Sequence, residues 1–166
     1  MHDEKNTAYN IGRRIVWWSN WLPYACSLSY PFYKNWYTRQ LDLVLAYPQD
    51  DAKTEQYMDM PVGFYVGGKS NLSHALLLIN NIYGSKASGR IWTNHLQKGI
   101  LSIDFVQSSV APCVLYRGTL IFLHYVDDAL CLSPKSAEVD KFIQDLQDAN
   151  FKVTDEGHIN NLVLLP

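Results

Sequence analysis

Apolar residues along the chain change period from place to place, and each period predicts a different element. Residues 41–47 (Leu-Asp-Leu-Val-Leu-Ala-Tyr) read as a strand stopped by Pro48, and residues 55–66 as a second extended stretch broken at Pro61-Val62-Gly63. From Ser73 the spacing turns helical through Leu76, Ile79 and Tyr83, which predicts a helix with Gly84 as its end cap. A second helix is predicted over 89–101. The period then shortens: 113–117, 119–125 and 129–132 are β-rich runs split by Arg117-Gly118 and Val126-Asp127-Asp128, predicting successive antiparallel hairpins. Ser133-Pro134 has the cap-then-proline order of a helix start. The helix after it carries Val139, Phe142, Ile143 and Leu146 at i, i+3, i+4 and i+7, and 151–153 is expected as the next strand. Before residue 36 the pattern is less regular. Ile15-Val16-Trp17-Trp18 suggests a short strand, and the aromatic-rich 21–36 is interrupted by Pro23 and Pro31. The order predicts an α+β fold around an antiparallel sheet.

Composition narrows the class. With 48% hydrophobic residues and 13% aromatics in 166 residues, the chain can bury a sizeable core, which excludes disorder as its dominant state. No apolar run approaches the roughly 18 residues that span a bilayer. The opening Met-His-Asp-Glu-Lys-Asn lacks a basic-then-apolar signal pattern, so secretion is not expected. Cys26, Cys113 and Cys131 form an odd set without CxxC spacing, read as buried thiols in a reducing compartment. The five histidines show no zinc-ligand spacing, and His124 reads as a packed strand residue. Fourteen basic residues against 16 acidic ones, a formal charge of −2, argue against gripping nucleic acid by bulk electrostatics.

The chemistry lies in the carboxylates. Asp127 and Asp128 sit at the tip of a hairpin between apolar strands, where paired carboxylates repel unless a cation neutralises them. Hard oxygen ligands suit magnesium. Neighbouring strand residues point to opposite faces, so a third carboxylate from another strand is wanted, and Asp42 is the natural candidate. Three such groups can hold two metal ions; the alternative is an acidic turn plus a strand-edge aspartate.

Tyr125-Val126-Asp127-Asp128 resembles the YVDD motif of copia-type LTR retrotransposon reverse transcriptases. Asp42-Leu43-Val44-Leu45-Ala46-Tyr47 resembles their first carboxylate motif, D-x-x-x-A-Y/F. Tyr57-Met58 with Pro61-Val62-Gly63-Phe64 is similar to YM-x-x-P-x-G-F, and Tyr83-Gly84-Ser85-Lys86 with Gly89-Arg90-Ile91-Trp92 to YGLK-x-x-GR-x-W. Thr154-Asp155-Glu156-Gly157 resembles the acidic-glycine turn near the end of the palm. All of these occur in order over 36–158. The resemblance implies a right-hand polymerase palm, its antiparallel sheet flanked by helices, over 36–166. A remnant of the fingers would occupy 1–35, and there would be no thumb.

It further implies RNA-directed DNA polymerisation, with two magnesium ions (manganese as a substitute) on Asp42, Asp127 and Asp128. Tyr47 would be a steric gate against a ribose 2′-hydroxyl, and Lys86, Arg90, Tyr125 and Val126 would contact nucleotide or template. The implied partners are an RNA or DNA template-primer, deoxynucleoside triphosphates, and the integrase and RNase H of a Gag-Pol polyprotein, with no membrane. The implied setting is cytoplasmic, in the virus-like particle of the parent element.

Departures from the family pattern suggest a shortened copy. Ser85 and Ala87 replace the usual leucine and polar residue, Ala25 stands where an arginine is expected, and Asn160-Asn161-Leu162-Val163 replaces D-Y-L-G. A catalytically dead remnant is therefore one alternative. Another is a nucleotide-binding protein, since Gly63-Phe64-Tyr65-Val66-Gly67-Gly68-Lys69-Ser70 matches the P-loop pattern. That motif needs a strand before it and a helix after it; the interruption at Pro61 and the scarcity of βα units weigh against it.

Overall fold

A computed structural model describes residues 36–52, 54–64 and 74–158. The expected fingers remnant at 1–35, Cys26, Gly67-Gly68-Lys69-Ser70 and Asn160-Asn161-Leu162-Val163 lie outside the described residues.

Six strands form one antiparallel sheet: β1 (Tyr37–Leu43), β4 (Val106–Gln107), β5 (Val114–Arg117), β6 (Leu120–Tyr125), β7 (Asp128–Ser133) and β8 (Val153–His158). Their spatial order is β4-β5-β6-β7-β1-β8. The consecutive hairpins β5–β6–β7 follow from the alternation in the sequence, while β1 enters from far upstream between β7 and β8. A separate two-stranded sheet pairs β2 (Tyr57–Asp59) with β3 (Ala75–Leu77). Among the described residues two α-helices, α1 (Ser88–Ser102) and α2 (Ser136–Asp148), join the sheets in the α+β architecture that the pattern predicts. Among the described residues no helix is long and apolar enough to cross a membrane.

Alternation divides the sheet's side chains between two faces. Leu41, Leu43, Phe122, Ala129 and Cys131 join Trp92, Leu96 and Ile100 of α1 and Val139, Phe142 and Leu146 of α2 in the main core. Val114, Ile121, Leu123, Leu130 and Leu132 point the other way and form a second cluster with Ala111. Both helices thus cover one face. Gly99 lets α1 approach closely, because a Cβ there would lie 2.4 Å from the buried Phe151 ring.

Several expectations are corrected. The helix predicted over 73–84 is instead strand β3 followed by turns. Its apolar spacing loses to pairing with β2 and to backbone bonds from Leu78 N–H to the Gln56 carbonyl (2.8 Å) and Ala52 N–H to the Ile79 carbonyl (2.9 Å). The strand predicted over 41–47 ends at Leu43. Leu45 takes a positive φ of 54°, Pro48 opens a 3₁₀ turn (Tyr47–Gln49), and Gln49 Nε2 donates to the Val44 carbonyl at 2.7 Å. Ser133-Pro134 does not start α2. Proline holds the residue before it in the extended region, so Ser133 stays on β7 and Lys135 is the N-cap. Ser133 still contributes by donating to Glu138 at 2.6 Å; this bond, then one from Thr119, holds the Glu138 carboxyl below its ordinary value. The strand expected over 151–153 begins only at Val153. The acidic-glycine segment 154–157 is strand rather than turn, tied to β1 by Arg39–Asp155 and Gln40–Glu156 contacts, with a register shift between Gln40 and Leu41.

Candidate active site

The carboxylates meet through strand register. In the β1–β7 pairing Asp42 stands directly opposite Asp128. Cross-strand partners share a face, so Tyr125, Asp128, Asp42 and Thr154, paired in succession across β6, β7, β1 and β8, form one row. The row lies on the face away from the helices, since its strand neighbours Leu41, Leu43 and Ala129 point into the main core. Asp127 occupies the two-residue turn between β6 and β7, and its carbonyl accepts from the Leu43 N–H at 2.6 Å, drawing the turn against β1.

That turn has an unusual backbone. Val126 adopts φ 56°, a conformation that costs a β-branched residue energy and that a type II′ turn ordinarily gives to glycine. The Nε1–H of buried Trp92 on α1 donates to the Val126 carbonyl at 2.7 Å. One hydrogen bond from a helix and one from β1 therefore fix the loop that carries Asp127.

Tyr47 follows β1 and packs on the main core, its hydroxyl against α1, where a Cβ on Gly89 would lie 3.3 Å away. Its ring meets that of Tyr83 with centroids 4.5 Å apart. Burial and then the charge of Asp127 push both phenol pKa values up; for Tyr83, Tyr47 and Asp42 add to the rise, while a hydrogen bond from the Ala46 backbone opposes it. Both tyrosines therefore face the acidic end of the sheet. Lys86 and Arg90 are exposed on either side of Gly89.

The sequence nominated Asp42, Asp127, Asp128, Tyr47, Tyr125 and Val126, and these gather at one end of the sheet. Trp92, Tyr83 and Thr154 were missed as participants. Trp92 and Tyr83 were letters of the motifs, a signal already present, whereas Thr154 needed the β1–β8 register. The P-loop alternative gains no support: among the described residues the first element after Gly67-Gly68-Lys69-Ser70 is strand β3.

His124 sits on the helix-covered face, stacked on Phe122 with centroids 5.8 Å apart, and its Nε2 is buried without a hydrogen-bond partner among the described residues. Burial pushes its pKa from 6.5 down to about 4. The unfolded chain then binds more protons than the folded one between those values. Stability is therefore full above pH 6.5 and falls as the pH drops toward 4, by an amount on the order of 3 kcal/mol. A thermal-midpoint series should show this fall, and His124→Phe should flatten it; an unchanged slope in the variant would assign the loss elsewhere.

Among the described residues, no group of three or more His, Cys, Asp or Glu side chains is arranged to hold a metal ion. Magnesium does not need such a group. It keeps several waters and commonly binds through one or two carboxylates completed by substrate phosphates. Oxygen donors from Asp42 and Asp128, opposed on one face beside Asp127, fit such an open site.

The profile of the reverse transcriptase (RNA-dependent DNA polymerase) family matches residues 27–164, and the chain belongs to that family. Transposon polyproteins are among the proteins it is similar to. It is 30% identical over 123 residues to the "Retrovirus-related Pol polyprotein from transposon TNT 1-94" of Nicotiana tabacum, covering 71% of this chain and 9% of that protein. It is 37% identical over 101 residues to the counterpart from transposon RE2 of Arabidopsis thaliana, covering 58% of this chain and 7% of the relative. With transposon RE1 of the same plant the identity is 36% over 101 residues, with the same coverage. The chain thus spans less than a tenth of the length of these curated relatives.

Proposed function

We propose that this chain is the palm and part of the fingers of a right-hand polymerase within a retrotransposon Pol polyprotein, and that it extends a primer on an RNA template. One observation carries the reading: the β1–β7 register opposes Asp42 and Asp128 on the face away from the helices, with Asp127 clamped to β1 beside them. In the reaction the primer 3′-oxygen bonds to the α-phosphorus of a deoxynucleoside triphosphate as the bond to pyrophosphate breaks. Asp42, Asp127 and Asp128 would hold two divalent cations. Bound there, magnesium supplies charge neutralisation for the phosphates and a more acidic primer hydroxyl.

The rest falls to the protein. Trp92 and the Leu43 N–H hold the turn so that Asp127 keeps its position without reorganising during the reaction. The Tyr47 ring lies under the incoming sugar and leaves no room for a 2′-hydroxyl, the group that separates ribo- from deoxynucleotides. Tyr125 and Val126 line the floor, and exposed Lys86 and Arg90 supply positive charge toward phosphates of nucleotide or template. Phosphate contacts position the substrate without reading its sequence.

The test is primer extension on an RNA template by the purified chain, in magnesium and then in manganese, beside an Asp127→Asn/Asp128→Asn control. Extension that vanishes in the control supports the reading. Extension that survives it overturns the triad assignment, and silence from the unaltered chain marks an inactive descendant of the family.

A further inference from the structure

We propose that Tyr83 is a positioning residue for sugar discrimination: its ring braces Tyr47 so that the gate cannot yield to a 2′-hydroxyl. The proposal rests on the polymerase reading above and on Tyr47 being the gate. A steric gate discriminates only if it stays in place when a larger sugar presses on it. Tyr47 is held from below by the main core and from one side by the backbone of Gly89. It also meets the Tyr83 ring, 4.5 Å away between centroids and tilted by 31°. Offset aromatic contacts at this separation are attractive beyond their buried area.

A brace must itself be anchored, and Tyr83 is. The loop before it is tied to the segment that carries Tyr47. Buried Asn81 donates through Nδ2 to the Asp50 carbonyl at 3.2 Å and the Asp51 carbonyl at 2.9 Å, and through its backbone N–H to the Asp50 carbonyl at 3.0 Å. Asn80 Nδ2 adds a bond to the Pro48 carbonyl at 3.1 Å. Gly84, at φ 95°, then turns the chain toward α1. Tyr83 is half exposed, a large ring at the rim of the site instead of in the core. Removing it therefore opens space beside Tyr47 without hollowing the core.

Single-nucleotide insertion by the full chain on a primed RNA template, comparing a deoxynucleotide with its ribonucleotide, reads the effect. Tyr83→Ala should lower the deoxy-over-ribo ratio of kcat/KM by about three- to tenfold, the scale of one aromatic pair. Tyr83→Phe, which keeps the ring, should hold the ratio within about twofold. Tyr83→Leu keeps apolar bulk in the loop and should lower the ratio as alanine does, which covers an alanine variant that fails to fold. In a Tyr47→Val background, Tyr83→Ala should change the ratio no further. If Tyr47→Val lowers the ratio and both Tyr83→Ala and Tyr83→Leu leave it unchanged, the brace is overturned and the gate stands. A ratio unmoved by Tyr47→Val removes the gate and the brace together. Insertion of neither nucleotide by the unaltered chain rejects the polymerase reading for this chain, and the brace with it.

Discussion

Asp42→Asn is expected to move two measurements in opposite directions. Primer extension should fall by at least about 10²–10³-fold, the scale of removing one preorganised electrostatic group from an active site. The thermal midpoint of the metal-free chain should instead rise. Asp42 and Asp128 face each other across β1 and β7, and like charges directly opposite on a sheet are destabilising. Neutralising one removes a repulsion worth roughly 0.5 kcal/mol, or about 1–3 °C for a chain of this size. Magnesium should reverse the ranking by stabilising the unaltered chain through mass action, while leaving the variant nearly unmoved. Differential scanning fluorimetry with chelator and then with magnesium checks both signs. If magnesium raises the midpoint of the variant as much as that of the unaltered chain, Asp42 does not hold the cation and the site assignment fails.

The second large effect is expected at Trp92. Truncation to alanine removes the largest fully buried side chain among the described residues and should cost about 3–5 kcal/mol, a large part of the stability of a domain this small. The informative variant is Trp92→Phe, which keeps most of the packing and deletes the N–H that binds the Val126 carbonyl. It should cost about 1–3 kcal/mol, because a donor is lost and the carbonyl is left unsatisfied. Val126 holds a left-handed conformation worth another 1–3 kcal/mol of strain in general terms, so the released turn should relax and carry Asp127 away from β1. Extension should therefore fall further than the loss of folded protein explains. Val126→Gly accepts the positive φ freely, and in the Trp92→Phe background it should recover much of the lost midpoint. No recovery would mean that the indole contributes through packing alone.

How much of this was legible in the sequence depends on how local the cause is. The hairpins β5–β6–β7 and the helices α1 and α2 were readable because their periods are set within a few residues. The carboxylates were readable because a motif names them, and Asp42 because a strand needs a partner for its acid. The helix predicted over 73–84 failed because Leu76, Ile79 and Tyr83 are spaced for a helix, yet the backbone there finds its partners in residues 52–59. Tyr83 was consequently read as part of a helix face instead of a ring stacked on Tyr47. The row that ends in Thr154 needed the register of β8 on β1, which depends on the irregularity at Gln40 and Leu41 and has no local signature. The role of Trp92 was hidden for the same reason: its hydrogen-bond partner lies on a distant hairpin.

The position of β1 has a consequence for the order in which the chain comes into being. Both of its sheet neighbours, β7 and β8, are made long after it. During synthesis β1 waits with both edges open, a state that invites pairing with another chain. Asp42 meets no opposing carboxylate until β7 has emerged and folded back, and the pairing must close a long loop first. A nascent chain therefore carries no assembled carboxylate row until synthesis has passed β7, and a ribosome stalled before that point holds a polypeptide with most of the motifs and none of the site.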